Sequence, residues 1–385
     1  MPWLILITFL LMIAYGLLLH YYHDAWRSIP AFTAGQEQPS TTVSVVVALR
    51  NESRNIPALL SSLLGQQYPA DLVEFVFVDD HSEDDTAARI QLAVTGAPFR
   101  MKLIRMQDQG FDARHAYKKK AIETGILQST GKLIVTTDAD CRFGPNWLRN
   151  LVRCQEQHGA QFIAAPVRMS GKQSFLSIFQ TVDFMALQGI TGAAVQRRFH
   201  AMCNGANLLY TRSSFEAVKG FEGIDNIPSG DDMLLMHKIC RRYPDKVFFL
   251  KDPAVIVTTA PEKSWKAFFQ QRIRWASKAV HYQDKRIVGV LLGLYLLNAC
   301  FLLLFCSLFW HPLGGFFFFL FLLAKVLIEF PFMRTVAGFF SEEKLLAWFV
   351  LLQPIHILYT LIAGWLGRFG SYTWKGRVIQ NFKAG

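Results

Sequence analysis

Hydrophobic positions along the 385 residues follow two different rhythms. At both ends they run almost unbroken, and in between they come as short runs separated by stretches with helical spacing. Trp3 to His20 is nearly all apolar and suits a membrane-spanning helix of about 20 residues. It has neither the basic n-region nor the small-residue cleavage site of a signal peptide. Tyr15, Tyr21, Tyr22 and Trp26 give it an aromatic edge. Three more blocks, Ile287–Trp310, Leu313–Met333 and Leu345–Gly367, are each long enough to span. The pattern predicts about four transmembrane helices, one N-terminal and about three C-terminal.

Two of these blocks carry polar residues. Lys325 and Glu329 stand four apart on one helical face, which makes them a self-neutralising pair or the mark of a functional path. Gln353, Pro354 and His356 in the last block predict a kink that faces protein rather than lipid.

The middle of the chain reads differently. Residues 29–41, with Pro30, Gly35, Pro39 and Ser40, form a linker. "TTVSVVVAL" (Thr41–Leu49) is a buried strand, followed by a helix over "NIPALLSSLLGQQYP". "EFVFVDD" is a second strand, and "SEDDTAARIQLAV" a helix with an acidic first turn. "RMKLIRM" is a third strand, and "AYKKKAIETGILQST" a helix ended by Gly131. "KLIVTTDAD" is a fourth strand, "NWLRNLVRCQEQ" a helix and "AQFIAAPVRM" a fifth strand. Strands alternating with helices imply an α/β fold with a mostly parallel sheet covered on both faces. Ligands of such sheets bind beyond the carboxyl ends of the strands. Here the first strand runs into Arg50, Asn51 and Glu52, the second into Asp79 and Asp80, and the fourth into Asp138 and Asp140, so the polar residues gather on one rim.

Composition agrees with this division. Hydrophobic residues make up 52% of the chain, above the range of ordinary soluble domains, and the excess sits at the ends. Lys and Arg number 40 against 29 acidic residues, a net charge of +11. Nucleic acid is one reading of that charge; a membrane surface is favoured, because the excess flanks the apolar blocks. The densest basic run, Glu262 to Arg286, leads into a span and puts the middle domain on the cytoplasmic side. With three C-terminal spans the tail bearing Lys375, Arg377 and Lys383 would then lie outside, against the rule, so one block is re-entrant or the count is off by one. The expected segments are an anchor at 1–26, a globular domain at 41–260, an interfacial basic helix at 261–286, spans at 287–370 and a basic tail at 371–385. Cys141, Cys154, Cys203, Cys240, Cys300 and Cys306 show no C-x-x-C and no zinc spacing, and are expected as reduced thiols.

Five constellations carry chemistry. In "VDDHSEDD" the residues Ser82 to Asp85 are explained by helix capping, Ser82 with Asp85 resembling a capping box. Asp79 is still in its strand, and capping leaves it unexplained; a carboxylate there can accept from a base N–H or hold a ribose hydroxyl. Asp138 and Asp140, two apart in a strand, would face the same way and repel, a penalty that Mg2+ or Mn2+ removes; the bland alternative is a solvated turn before Gly144 and Pro145. Lys118, Lys119 and Lys120 oppose the dipole at a helix start, which a phosphate-bearing ligand or plain solvation would explain. Asp231 and Asp232 open an apolar-periodic helix, as cap or as general base. Gln271, Arg274 and Trp275 share a basic amphipathic helix, suited to lying on lipid or to binding phosphate and sugar.

Seven segments in order, "VSVVVALRNESRNIPALLSSLLGQQYP", "FVFVDDHSEDDT", "KKKAIETG", "TTDADC", "NGANLLYTRSSF", "GDDM" and "QQRIRW", resemble the inverting family 2 glycosyltransferases of the membrane-integrated type, related to polysaccharide synthases and lipid glycosyltransferases. The resemblance covers Thr41 to Trp275 and implies a GT-A fold, a nucleotide-sugar donor (a UDP-sugar foremost) and Mg2+ or Mn2+. It implies that Asp79, Asp80, Lys118, Asp138 and Glu52 hold the donor nucleotide. Asp140 and Asp138 would form the D-x-D metal motif, with Asp140 the direct ligand. Asp232 matches the catalytic base, and Gln271, Arg274 and Trp275 match Q-x-x-R-W on the acceptor and diphosphate side. Two departures stand out: Asp231 replaces a frequent Glu, which leaves open which of Asp231 and Asp232 is the base, and no proline lies near Ala48 and Leu49.

The implied reaction is direct displacement at the anomeric carbon, with Asp232 taking the acceptor proton and inversion following because no enzyme nucleophile is needed. The implied acceptor is a lipid or lipid-linked glycan in cell-envelope synthesis, at a bacterial inner membrane, with no role for nucleic acid. Q-x-x-R-W also occurs in processive synthases, but four spans are few for a polymer channel. A non-catalytic nucleotide-sugar-binding protein is the other alternative, against which Asp138, Asp140 and Asp232 together speak. A nucleotidyltransferase would want a Gly-rich loop after the first strand, and "ALRNESRN" has none.

Overall fold

The structure, a computed structural model, describes residues 1–385 except 36, 110–117, 201, 228, 283, 375–376 and 381–385. Lys375 and Lys383 of the expected basic tail, the expected helix start at 116–117 and Pro228 therefore lie outside the described residues.

The chain opens on α1 (Pro2–Ser28). There follow β1 (Val43–Leu49), α2 (Ile56–Leu64), β2 (Val73–Asp79), α3 (Thr86–Val94), β3 (Arg100–Arg105), α4 (Lys118–Leu127) and β4 (Leu133–Asp138). Next come α5 (Trp147–His158), β5 (Phe162–Ala164), β6 (Val167–Met169), the long α6 (Phe175–Gln196), β7 (Leu208–Thr211) and α7 (Arg212–Ala217). Then follow α8 (Met233–Arg242), β8 (Val247–Phe249), β9 (Val257–Thr259) and α9 (Trp265–Ser277). The chain continues through α10 (Lys285–Ser307), α11 (Pro312–Phe340) and α12 (Phe349–Phe369) to a hairpin of β10 (Ser371–Trp374) and β11 (Arg377–Gln380). These elements form two compact units, one of Ile29–Ser170 and Ala201–Ala260, the other of Met1–Ser28, Gly171–His200 and Pro261–Gly385.

The first unit is the expected α/β fold. Its seven-stranded sheet has the order β3-β2-β1-β4-β7-β5-β8. β1, β2, β3 and β4 are parallel, as are β5 and β8, while β7 runs antiparallel to both of its neighbours. β1 is buried almost throughout, as an unbroken apolar run demands when both faces of a sheet are covered. The reversed strand has no signature of its own: "LLYT" is buried at every position, so it shows no alternation. The fifth expected strand is two strands. Pro166 cannot donate to a ladder, so β5 stops at Ala164 and β6 starts at Val167, paired with β9 in a separate two-stranded parallel sheet.

The second unit is helical. It includes Gly171–His200, so the domain expected to run unbroken from 41 to 260 is interrupted by α6. The reason lies in that helix: it is apolar around most of its circumference and nearly all buried, which only packing among other helices satisfies. Ser174 and Ser177 close a capping box at its start.

Among the described residues, four helical segments are long and apolar enough to cross a membrane, Pro2–Ser28, Lys285–Ser307, Pro312–Phe340 and Glu343–Phe369, which agrees with the expected one plus three. Met12 of α1, Leu297, Phe301 and Leu304 of α10, Phe318 and Phe321 of α11 and Ile357 of α12 form a shared core.

Lys325 and Glu329 do pair, Nζ to Oε1 at 2.5 Å. The pair belongs to a larger closed network. Lys325 Nζ also donates to Gln353 Oε1 at 2.5 Å, Gln353 Nε2 to Glu329 Oε2 at 2.7 Å, and Tyr15 Oη to Glu329 Oε1 at 2.5 Å. Polar heads in an apolar bundle are tolerable when each finds its partners inside it.

Candidate active site

The rim of the sheet is set by strand register. β1 lies between β2 and β4, with Leu49 opposite Asp79 and Ala48 opposite Asp138. The two aspartates therefore end strands on either side of β1, about 10 Å apart by strand spacing.

Asp79 is 2% exposed. Its Oδ2 accepts from Ser82 N at 3.3 Å, while its buried Oδ1 has no hydrogen-bond partner among the described residues. Burial pushes its pKa up, partly offset by the bonds from Ser82. Asp80 Oδ1 lies 3.0 Å from His81 Nδ1, and the Asp80 carbonyl accepts from Arg50 Nη1 at 2.8 Å. Glu52 Oε2 accepts from Asn55 Nδ2 at 2.6 Å, and Glu52 N donates to Thr86 Oγ1 at 2.8 Å.

The expected capping box of Ser82 and Asp85 does not form. α3 begins at Thr86, and Asp85 makes no side-chain cap bond. The polar residues stitch two loops together instead. Asn51 N donates to Ser82 Oγ at 2.9 Å, Glu83 N to Asn51 Oδ1 at 2.8 Å and Ser53 N to Asp84 Oδ2 at 3.1 Å. Asp84 serves both sides, its Oδ1 also accepting from Thr86 N at 3.0 Å at the start of α3.

Asp138 and Asp140 are not neighbours along a strand. β4 ends at Asp138, and residues 139–140 form a turn, so period-two geometry stops before Asp140. The two carboxylates take different partners. Asp140 Oδ2 accepts from Thr259 Oγ1, at the end of β9, at 2.9 Å. Asp138 Oδ1 accepts from Lys118 Nζ at 2.6 Å. The next residue, Cys141, is buried, and burial followed by the nearby Asp140 and Asp138 pushes its thiol well up, so it stays protonated.

The three lysines at the start of α4 are not a solvated turn. Lys118 Nζ lies between Asp138 and Asp231, whose Oδ2 is 3.2 Å away. Burial lowers its pKa, but the two carboxylates more than offset this and hold it above the usual lysine value. Lys119 is 2% exposed and donates to three carbonyls, Ile224 O at 2.8 Å, Ile227 O at 2.6 Å and Ser229 O at 2.8 Å. It pins the loop that leads into Asp231. Lys120 pairs with Glu123 at 2.8 Å.

Asp232 caps α8, with Oδ1 accepting from Met233 N at 2.7 Å. Its Oδ2 accepts from Gly205 N at 3.2 Å. A Cβ on Gly205 would lie 3.4 Å from both Lys118 Nζ and Asp231 Oδ2 and 3.5 Å from Asp232 Cβ, so this backbone borders all three. The rim thus gathers Asp138, Lys118, Asp231, Asp232 and the Gly205 N–H into one cluster. Lys119 holds loop carbonyls rather than a phosphate or solvent, and Gly205, within "NGAN", has no local signal that marks it for this site.

No group of three or more His, Cys, Asp or Glu side chains among the described residues could hold a metal ion as a protein cage. The other kind of hard-cation site uses one or two carboxylates and completes its shell with water and substrate phosphates.

In the helical unit, Gln271, Arg274 and Trp275 lie on α9. Gln271 Nε2 donates to Glu262 Oε1 at 3.1 Å, and its buried Oε1 has no partner among the described residues.

Residues 44–219 match the family described as Glycosyl transferase family 2, and residues 133–366, more than half of the chain, match Glycosyl transferase family group 2. The chain belongs to this glycosyltransferase group. It is 24% identical over 262 residues, 66% of this chain and 59% of the relative, to the probable glycosyltransferase YdaM of Bacillus subtilis. It is 30% identical over 128 residues to glycosyltransferase AglE of Haloferax volcanii, covering 33% of this chain and 40% of that protein. It is 29% identical over 165 residues to the undecaprenyl-phosphate 4-deoxy-4-formamido-L-arabinose transferase of Yersinia pestis, covering 41% and 46%. The chain thus spans between 40% and 59% of the length of these relatives. Among solved structures, the mannosyltransferase PcManGT of Pyrobaculum calidifontis, in complex with GDP-Man and Mn2+, matches with a TM-score of 0.62 at 18% identity, over 92% of this chain and 99% of that one. That likeness shows the fold: this glycosyltransferase is of the GT-A type, a mostly parallel sheet flanked by helices and joined to four apolar helices.

Proposed function

We propose that this glycosyltransferase moves a sugar, with inversion, from a nucleotide-diphosphate sugar to a lipid or lipid-linked glycan acceptor in a membrane, with its catalytic unit on the cytoplasmic side. The observation that carries the reading is the cluster of Asp138, Lys118, Asp231 and Asp232 around Gly205 at the carboxyl rim of the sheet. The apolar helices and the Yersinia relative, whose name specifies undecaprenyl phosphate, support a lipid acceptor. A UDP-sugar is the first donor to try, and GDP-mannose, the donor in the PcManGT complex, the second.

In this reading Asp79, Asp80 and Glu52 hold the nucleoside, Asp79 offering the buried oxygen that lacks a partner among the described residues. Lys118 faces the donor phosphates. Asp232 is the base. The Gly205 and Met233 N–H groups each donate to one of its oxygens, which fixes the carboxylate for the acceptor hydroxyl. Asp231 is engaged by Lys118 and serves to hold it. Mg2+ or Mn2+ at Asp140 and Asp138, when bound, would neutralise the leaving diphosphate. Gln271, Arg274 and Trp275 are assigned to the acceptor and the diphosphate.

The test is a panel of labelled nucleotide sugars incubated with membranes carrying the protein, with Mn2+ or with chelator, followed by lipid extraction. Metal-dependent label in the lipid fraction is expected with one donor. Asp232→Asn should lower turnover by about 10²–10⁴-fold, the usual worth of a general base, while nucleotide binding persists. Retained turnover in that variant would remove Asp232 from its role. A product that lengthens with donor supply would mark a processive synthase.

A further inference from the structure

The helix that carries Gln271, Arg274 and Trp275 is held by polar side chains that the proposed reaction does not use. On α6, Gln180 and Asp183 stand three apart, on one face of the helix and both buried. The Gln180 amide takes both backbone groups of Glu262: Glu262 N donates to Gln180 Oε1 at 2.9 Å, and Gln180 Nε2 donates to Glu262 O at 3.0 Å. Glu262 in turn accepts from Gln271 Nε2. Asp183 Oδ2 lies 2.8 Å from Arg272 Nη2, with the two side chains 4% and 3% exposed. Tyr359 of α12 donates to Asp183 Oδ1 at 2.5 Å, and His356 Nε2 lies 3.8 Å from the same oxygen. The Arg272 guanidinium sits 4.2 Å from the centroid of the Trp275 ring. α12 comes so close to α9 that a Cβ on Gly367 would meet Ala276 Cβ at 2.6 Å.

A buried ion pair of this kind is a poor source of stability, since well-packed apolar residues often do as well or better. What it does is hold two buried, opposite charges against each other, so that Arg272 of α9 stays beside Asp183 of α6. Each of the two α6 side chains reaches a different residue of α9, one through Glu262 to Gln271, the other through Arg272 to Trp275. The planar guanidinium can hold the carboxylate and lie against the indole at once, which an ammonium cannot reproduce.

We infer that Gln180 and Asp183 are positioning residues that set Gln271 and Trp275 of α9 for the acceptor, acting through Glu262 and Arg272. The inference rests on the proposed acceptor role of Gln271 and Trp275.

The experiment uses the full chain in vesicles containing polyprenyl phosphate, with Asp183→Asn, Tyr359→Phe, Gln180→Leu and, as a control on the acceptor role, Trp275→Ala. Hydrogen exchange over 265–277 needs no substrate and should quicken about tenfold in Asp183→Asn, as local opening becomes easier. The KM for polyprenyl phosphate should rise roughly tenfold to a hundredfold, the scale of a misplaced binding group, with the donor KM unchanged. If Asp183→Asn does not fold, Asp183→Asn with Arg272→Met removes both charges, and Tyr359→Phe removes only one hydroxyl; both should fold and still raise the acceptor KM. Unchanged exchange over 265–277 overturns the inference. So does an unchanged acceptor KM where Trp275→Ala raises it. If Trp275→Ala alters neither KM, the acceptor role of the helix fails instead, and the exchange data judge the positioning on their own.

Discussion

The ammonium of Lys118 lies 2.6 Å from Asp138 Oδ1, joining the first turn of α4 to the end of β4. It also reaches Asp231, 3.2 Å away, so one cation serves the first carboxylate of D-x-D and the acid beside the proposed base. Lys118→Met leaves both carboxylates without it. A fall of about a hundredfold in kcat/KM for the donor is expected, equivalent to about 2.7 kcal/mol of transition-state stabilisation. Steady-state kinetics over donor concentration checks this.

Because the folded pKa of Lys118 is raised, its stabilising effect is fully present below the unfolded lysine value of about 10.4. It is lost only as the pH climbs through the higher folded value. The difference in melting temperature between wild type and Lys118→Met should stay constant from pH 6 to about 9 and shrink only at strongly alkaline pH.

Burial pushes the pKa of Asp79 up, so its contribution runs with the same sign. The folded state favours the protonated form, and the carboxylate at neutral pH costs stability. Asp79→Asn should melt higher than wild type at pH 7, with the gap closing as the pH falls towards the unfolded aspartate value of about 3.9. Donor affinity should drop about tenfold in the same protein, the price of a lost charge-assisted contact, as read by calorimetric titration with nucleoside diphosphate.

Lys119 is the third case. Lys119→Met takes a donor from three carbonyls of the loop before Asp231; Ile224 O keeps its bond from Ile227 N, and the buried Ser229 O loses the most, about 1–3 kcal/mol for a buried group left unpaired. Denaturant unfolding should show a loss of about 1–3 kcal/mol, and proteolysis should cut first in the loop before Asp231.

In the helical unit, Lys325→Met leaves Glu329 without its cation, an imbalance worth about 3–5 kcal/mol in a buried setting. The double variant Lys325→Met with Glu329→Gln should recover most of that loss. Thermal melts in detergent compare the two.

Much of this was legible along the chain. Buried strands announce themselves by β-branched runs, and spans by length, because both follow from local apolar content. The acidic strand ends could be placed on one rim because a parallel sheet puts every carboxyl end on the same side. Where an element stops is not a local fact. The apolar run into "TTDAD" reads as strand two residues past the true end of β4 at Asp138, and "AQFIAAPVRM" reads as one strand although Pro166 divides it. The part that Ser82 plays in joining two loops is invisible locally, because its donor, Asn51 N, lies 31 positions away, while Asp84 accepts both from Thr86 N at the start of α3 and from Ser53 N.

The family, the α/β class, the four apolar helices and the acidic strand ends can be read along the chain, since composition, periodicity and ordered motifs are one-dimensional facts. The partners of those residues come from packing. It set Lys118 between Asp138 and Asp231, buried Lys119 under three carbonyls, and joined Asp183 to Arg272 across 89 positions of chain. Charges and amides act over a few ångströms, and which groups come within that reach depends on how distant segments pack, which no local pattern records.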